Sequence, residues 1–201
     1  MDIQKIISLV TKTQGLIKNR EMAAHVKEKG LADYVTQVDI AVQNFLKKEL
    51  FALAPDIQFL GEETGLQEIK ADSFWILDPV DGTTNLMHDY QHSVVSLALC
   101  RQGDIIMGII YDPFRDEVFS AIKGKGSFLN GQPIHVSNAE KLSDTMIGLE
   151  TAKRELADEN FARFRRGGSQ CQDVRRIVSA ALELDTACGR QGSYFEIHLN
   201  P

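Results

Sequence analysis

The chain has 201 residues, 43% hydrophobic and 25% charged, and carries a formal net charge of −6. It is long enough to bury a sizeable core in one domain, and its composition excludes low-complexity and collagen-like chains. The acidic balance argues against a nucleic-acid partner, since binding a phosphate backbone needs a dominant basic face.

In chain order, Ile3, Ile6, Ile7, Val10 and Ile17 recur at helical spacing and predict an amphipathic helix over roughly the first 25 residues. Gly30 breaks that pattern. Residues 34–38 read as a short extended approach to Asp39, a residue type that opens helices. Val42, Phe45, Leu46, Leu50 and Leu53 then form a second apolar stripe, closed by Pro55. Residues 57–60 read as a strand ending in Gly61-Glu62-Glu63. Residues 74–77 read as another, ending in Asp78-Pro79-Val80-Asp81-Gly82-Thr83-Thr84-Asn85.

Further strands are predicted over 94–100, 104–111 and 117–122, with Arg101-Gln102-Gly103 as a hairpin turn. A glycine-rich loop over 124–131 carries a short strand at 127–129, and 134–136 and 146–149 are short strands. Helices are predicted over 152–166 and 179–188, and a closing strand over 193–198. Helices and strands intermix without strict βαβ alternation, repeats or linkers. A single layered α/β or α+β domain over 1–201 follows.

Three cysteines without CxxC spacing exclude a disulfide framework or a thiolate zinc site and fit a reducing cytoplasm. The N-terminus lacks a signal-peptide pattern, and no apolar run approaches the ~20 residues that span a bilayer. There is also no Gly-x₄-Gly-Lys phosphate loop and no His-Glu-x-x-His zinc motif.

Chemistry concentrates at element ends. Asp78 and Asp81 sit three apart just past an apolar run, where sheets commonly place their functional groups. Two carboxylates held there by Pro79 and Gly82 make a hard-oxygen site suited to Mg²⁺. The following Gly82-Thr83-Thr84 offers N–H groups and hydroxyls for a phosphate. Asp39 and Glu62/Glu63 also follow extended stretches, as expected if several elements end at one cleft. Read singly, Asp39 is equally a helix cap, Glu62/Glu63 a solvated turn and Asp78 a turn initiator.

Three blocks resemble, in order and spacing, the signatures of the inositol monophosphatase family: Asp33-Tyr34-Val35-Thr36-Gln37-Val38-Asp39, Gly61-Glu62-Glu63, and Trp75-Ile76-Leu77-Asp78-Pro79-Val80-Asp81-Gly82-Thr83-Thr84-Asn85. The segments 123–131 and 175–184 are similar to its glycine-rich turn and its Arg-x-x-Gly-Ser-Ala-Ala helix start. The resemblance implies an αβαβα sandwich of the sugar-phosphatase type, usually a homodimer, and Li⁺-sensitive, Mg²⁺-dependent hydrolysis of small phosphorylated polyols.

It also implies roles. Glu62, Asp78, Asp81 and the Val80 carbonyl would bind two Mg²⁺ ions, with Asp39 helping to hold a third. Thr83, hydrogen-bonded to Asp39, and Glu62 would orient and deprotonate the attacking water. Gly82 and Thr83 N–H groups would hold the phosphate. Val178, Ser179, Ala180 and Glu196 would contact the substrate's ring and hydroxyls. The histidines near the motif, His88 and His92, have no part in that chemistry. Fructose-1,6-bisphosphate, NADP(H) and 3′-phosphoadenosine 5′-phosphate are the alternative substrates, and a low-activity or non-catalytic form is the alternative class.

Two departures accompany the resemblance. Val178 stands where the family has glycine. The chain stops at Asn200-Pro201, before the family's Trp-Asp-x-Ala-Ala-Gly motif and the C-terminal elements that follow it. The expectation is a fold lacking those elements and a second metal position lacking one carboxylate, at a cost of about 10²-fold in rate.

Overall fold

Helix α4 (Gln37–Leu53) buries Val42, Leu46 and Leu50 at four-residue spacing, which turns one face onto a sheet. That contact organises the first of two compact units, Met1–Pro133; the second is Ile134–Pro201. The computed structural model describes residues 2–30, 33–65, 68–148, 157–183 and 194–196. No helix among them is long and apolar enough to cross a membrane.

The N-terminal segment departs from the single helix expected there. It is divided into α1 (Ile3–Thr11), α2 (Gln14–Ile17) and α3 (Arg20–Ala24). The reason is local polar competition. Buried Thr13 donates its hydroxyl to Val10 O at 2.6 Å, and the Asn19 side chain accepts from Met22 N at 3.0 Å, capping a new helix. Apolar periodicity continues across both breaks, so the pattern alone does not reveal them. The region around Gly30 is more than a breaker. It forms β1 (Val26–Gly30), which pairs antiparallel with β2 (Asp33–Thr36).

The main sheet has seven strands in sequential order: β3 (Gln58–Gly61), β4 (Ser73–Asp81), β5 (Val94–Arg101), β6 (Asp104–Asp112), β7 (Glu117–Ile122), β8 (Gly126–Leu129) and β9 (Gln132–Ile134). Only β3–β4 is parallel among the first six; β4 through β8 form antiparallel hairpins. The β5–β6 hairpin turns at Gln102-Gly103, both with positive φ, as a two-residue turn matched to strand twist requires. Alternating side chains (Trp75 and Leu77, Leu97 and Leu99, Met107 and Ile109) join Ile6 and Val10 of α1 and the α4 stripe in one core. A helix missed from the sequence, α5 (Thr83–Met87), follows β4 directly.

In the second unit, β10 (Met146–Gly148) lies between β11 (Asp173–Arg175) and β12 (Tyr194–Glu196), all parallel, with α6 (Ala157–Gly168) between β10 and β11 in sequence. The start of the helix predicted over 152–166 lies outside the described residues. Of that predicted over 179–188, residues 180–183 are described and helical. The fold is thus α/β, as the sequence leads one to expect.

Among the described glycines, Gly61 has the least room for a side chain. A Cβ there would stand 2.1 Å from Gln43 Oε1 and 2.9 Å from the Phe59 ring. Gln43 is buried, and its Oε1 accepts from Glu63 N at 3.0 Å, so it cannot swing aside without losing that bond. Gly61→Ala is expected to destabilise the protein by about 1–3 kcal/mol. Chemical denaturation checks this; an unchanged midpoint would mean that Gln43 yields freely.

Candidate active site

Thr36 closes β2 and caps α4. Its Oγ accepts from Val38 N at 3.1 Å, and Asp39 completes a capping box by accepting from Thr36 N at 2.8 Å and Thr36 Oγ at 2.5 Å, both through Oδ2. The N-cap of α4 is thus Thr36 rather than Asp39, which stands at N3 and reaches back with one of its two oxygens. The other, Oδ1, lies 3.0 Å from Thr83 Oγ in the first turn of α5. Burial pushes the proton affinity of Asp39 up, and the Thr36 and Thr83 donors oppose that shift. The Thr83 hydroxyl also lies 3.0 Å from Val80 O, so its single proton is shared between carboxylate and carbonyl.

Glu62 and Glu63 open a 3₁₀ turn after β3, a turn fixed from α4 by Gln43. Lys29 of β1 reaches both, at 3.4 Å to Glu62 and 2.9 Å to Glu63, and lies 3.6 Å from Asp33. Burial alone would pull the Lys29 ammonium down; the Glu63 hydrogen bond and the charges of Glu62, Glu63 and Asp33 raise it instead.

Asp78 and Asp81 lie within β4 rather than beyond it. Asp78 pairs with Ser96 and Asp81 with Val94, so β4 holds one residue more than β5 between these pairs. Pro79, lacking an N–H, is where such a bulge is tolerated. Asp78 Oδ1 accepts from Val80 N at 3.0 Å, and Gly82 follows at φ 89°, a left-handed conformation that turns the chain into α5. Ser93 Oγ donates to Gly82 O at 2.8 Å, and Asn85 Nδ2 donates to His92 O at 2.8 Å, fixing the turn from the start of β5. His92 Nδ1 is 2.5 Å from Tyr90 O, a local backbone contact.

Burial, then the charges of Glu62 and Asp81, then a hydrogen bond with Glu62 push the Asp78 carboxyl far above the usual carboxylate range; the Val80 N–H acts against them. Glu62, Asp78 and Asp81 therefore share one electrostatic neighbourhood. Among the described residues, no three His, Cys, Asp or Glu side chains converge in metal-ligand fashion. Glu62 is drawn toward Lys29, and Asp78 toward Val80 N. As a donor set, carboxylates and a carbonyl, with no thiolate or imidazole, fit a hard divalent cation.

The other expected substrate residues belong to the second unit. Val178 has φ 62°, a left-handed conformation costly for a β-branched side chain. That explains why glycine suits the position. Ser179 is buried, and its Oγ accepts from Leu182 N at 3.3 Å. Ala180 begins the helical segment 180–183. Glu196 pairs with Gly148 through β12, and its side chain lies outside the described residues. Of the residues the sequence reading passed over, Thr36 was legible as Thr-x-x-Asp, the capping-box pattern. Lys29, Gln43 and Ser93 carry no local signal, because each acts across the fold.

The profile of the inositol monophosphatase family matches residues 2–201. A Nus factor SuhB from Xylella fastidiosa is 38% identical over 181 residues, 89% of this chain, and the chain spans 66% of that relative's length. Among solved structures, the extragenic suppressor protein suhB from Bartonella henselae superposes with a TM-score of 0.89 at 31% identity, covering 98% of this chain and 79% of that one. An IMPase/NADP phosphatase complexed with Mg²⁺ and phosphate superposes at 0.78 with 25% identity, covering 96% and 74%.

Asp78 gives a pH prediction. Its proton affinity is higher in the folded than in the unfolded chain, so the folded state binds the extra proton and is favoured at low pH. Stability is lost as pH rises from the ordinary carboxylate range through the raised value. In EDTA, Asp78→Asn is therefore expected to melt above the parent chain at pH 8, by about 1–3 kcal/mol, with the difference shrinking toward pH 5. Equal melting curves at pH 8 would refute the shared field. At Val178, glycine and alanine replacements separate strain from lost burial. Val178→Gly is expected to be about 1 kcal/mol more stable than Val178→Ala, the reverse of their order in regular structure. Paired denaturation curves decide it.

Proposed function

The chain belongs to the inositol monophosphatase family, and we propose that it is a Mg²⁺-dependent phosphomonoester hydrolase acting on a small phosphorylated polyol, inositol monophosphate foremost. The observation carrying this reading is the turn after β4, where the bulge holding Asp78, Val80 and Asp81 leads through Gly82 to the Thr83–Asp39 pair. Glu62, Asp78 and Asp81 with the Val80 carbonyl would hold two Mg²⁺ ions, and Asp39 would help hold a third. When bound, Mg²⁺ supplies positive charge that offsets the phosphate's and makes water more acidic.

The chain's own groups account for the rest. Thr83 donates its proton toward Asp39 or Val80 O, which leaves its oxygen lone pairs to accept from a water. The water oxygen attacks phosphorus in line and its proton passes to Glu62; the ester P–O bond breaks with its electron pair on the polyol oxygen, which takes a proton from solvent and leaves as the alcohol. Gly82 and Thr83, at the start of α5, have N–H groups without intrahelical acceptors, which suit the phosphate oxygens. Val178, Ser179, Ala180 and Glu196 would flank the polyol. The same reading includes a cytoplasmic homodimer inhibited by Li⁺.

Phosphate release from inositol 1-phosphate, with Mg²⁺ or EDTA, tests this directly. Mg²⁺-dependent turnover is expected, reduced at least about 10²-fold in Asp81→Asn and in Thr83→Ala. Fructose 1,6-bisphosphate, NADP and 3′-phosphoadenosine 5′-phosphate serve as competitors for substrate class. Turnover that survives EDTA, or a folded chain inert toward all four compounds, would overturn the proposal.

A further inference from the structure

Helix α4 carries an amide where its buried stripe is otherwise apolar. Val38, Val42, Leu46 and Leu50 are buried, and Gln43, on the same side of the helix, is only 4% exposed. Burying an amide is unfavourable unless it is hydrogen-bonded, so its partner indicates its use. Gln43 Oε1 accepts from Glu63 N at 3.0 Å. That N–H belongs to the 3₁₀ turn Glu62–Thr64, whose N-cap is Gly61 and which therefore has no capping side chain of its own. A turn that cannot cap itself is capped from another element.

Sterics point the same way. A Cβ at residue 61 would stand 2.1 Å from Gln43 Oε1 and 2.6 Å from Gln43 Cδ. Gly61 has φ −116°, a conformation open to any residue, so its backbone does not call for glycine. Packing does, and the Gln43 amide is the nearest group. Residue 61 lacks a side chain where the acceptor for residue 63 has to pass.

The amide also shares its helix face with Asp39, four residues and about 6 Å earlier along the axis. Asp39 Oδ1 meets Thr83 at the start of α5, and Gln43 meets the turn after β3. Strands β3 and β4 are parallel and pair Gly61 with Leu77. Continued by one residue, that register sets Glu62 level with Asp78, and a hydrogen bond joins the two carboxyl groups. One rigid helix face thus spaces two segments that bear site acids. Against it works Lys29, which draws Glu62 from 3.4 Å and Glu63 from 2.9 Å.

We propose that Gln43 is a positioning residue for Glu62. By holding the Glu63 N–H it fixes the Glu62 backbone, and so the place of the Glu62 carboxylate beside Asp78, from the helix that also holds Asp39. Without that bond the turn is free to follow Lys29. The role rests on the reading of Glu62 and Asp78 as Mg²⁺ ligands. Gln43 itself touches neither substrate nor reacting atoms. Groups that orient ligands from behind in this way typically change metal affinity or activity by about 10- to 100-fold when removed.

Three variants of the full chain separate positioning from mere support. Gln43→Met fills the same space without an acceptor, Gln43→Glu keeps an acceptor at the same reach, and Leu50→Ala weakens α4 two turns away. Mg²⁺ affinity by calorimetry and turnover of inositol 1-phosphate are measured well below each Tm. Gln43→Met is expected to weaken Mg²⁺ binding about 10-fold and to lower kcat at saturating Mg²⁺ at least about 10-fold, with KM little changed. Gln43→Glu should stay within about 3-fold of the parent chain, and Leu50→Ala should lose Tm alone. If Gln43→Met does not fold, Gln43→Asn takes its place with the same expectation, since its amide is one methylene short of Glu63. Two results would overturn the role: a loss confined to Tm, as in Leu50→Ala, or a Gln43→Glu chain as impaired as Gln43→Met. A parent chain that neither binds Mg²⁺ nor turns over is a different outcome, and it would overturn the metal reading and this role together.

Discussion

One buried carboxylate ties together the starts of two helices in the first unit. Asp39 uses Oδ2 to close the capping box that starts α4 and Oδ1 to meet Thr83 at the start of α5. The starts of two helices are thereby registered on one side chain. A neutral isostere in this place would keep the shape but lose the charge-assisted bonds, which are about twice as strong as neutral ones. The cost is burial, which raises the proton affinity of Asp39; the donors that offset the cost are the same ones that fix the geometry. Structure and chemistry are thus held by the same atoms.

Asp78 presents the opposite balance. It sits in a strand whose neighbours bury it, beside two further carboxylates, and only the Val80 N–H works in its favour. Such an arrangement lowers stability and persists where the surroundings over-determine it. Those surroundings are visible: Trp75 and Leu77 two strand positions apart in the core, Val80 buried within the bulge, and the Gly82 turn fixed by Ser93. A well-packed sheet can carry acids at the end of β4 because the pairing from Ser73 to Leu77 with β5, and all of β5–β6, lies outside them.

How far the fold was legible follows from the kind of signal each element carries. The α4 stripe and the alternating strands β5 to β7 were readable, since periodic burial is written in the sequence itself. The turn at Gln102-Gly103 was readable because turns are local; the Thr36-x-x-Asp39 cap carries an equally local signal, passed over in favour of Asp39. What escaped was polar and non-local. Thr13 and Asn19 divide the first helical stretch without interrupting its apolar rhythm, and α5 begins after a glycine that reads equally well as a loop. Of the site, Asp39, Glu62, Asp78 and Asp81 stood out as acids at element ends, but their supports did not. Gln43 and Lys29 act across 20 and 33 or 34 positions, and nothing in their own neighbourhoods announces that.

The adjacent pair Glu62-Glu63 shows how those supports divide labour. Two consecutive acids in one turn repel each other and are chemically equivalent in isolation. The fold separates them. The Glu63 side chain is only 8% exposed, its N–H is taken by Gln43 and its carboxylate by Lys29 at 2.9 Å; the Glu62 side chain is 49% exposed and feels Lys29 from 3.4 Å. Burial raises the proton affinity of Glu63, and the Lys29 ammonium works against it. Desolvation pulls the Lys29 ammonium down, and Glu63, Glu62 and Asp33 together more than offset it, so its proton is held more tightly than in water. One glutamate therefore anchors the β1–β2 hairpin to the turn, while its neighbour keeps a carboxylate that is about half exposed. The asymmetry distinguishes two glutamates that stand side by side in the sequence, and it is the more exposed Glu62 on which the proposed reading places the chemistry.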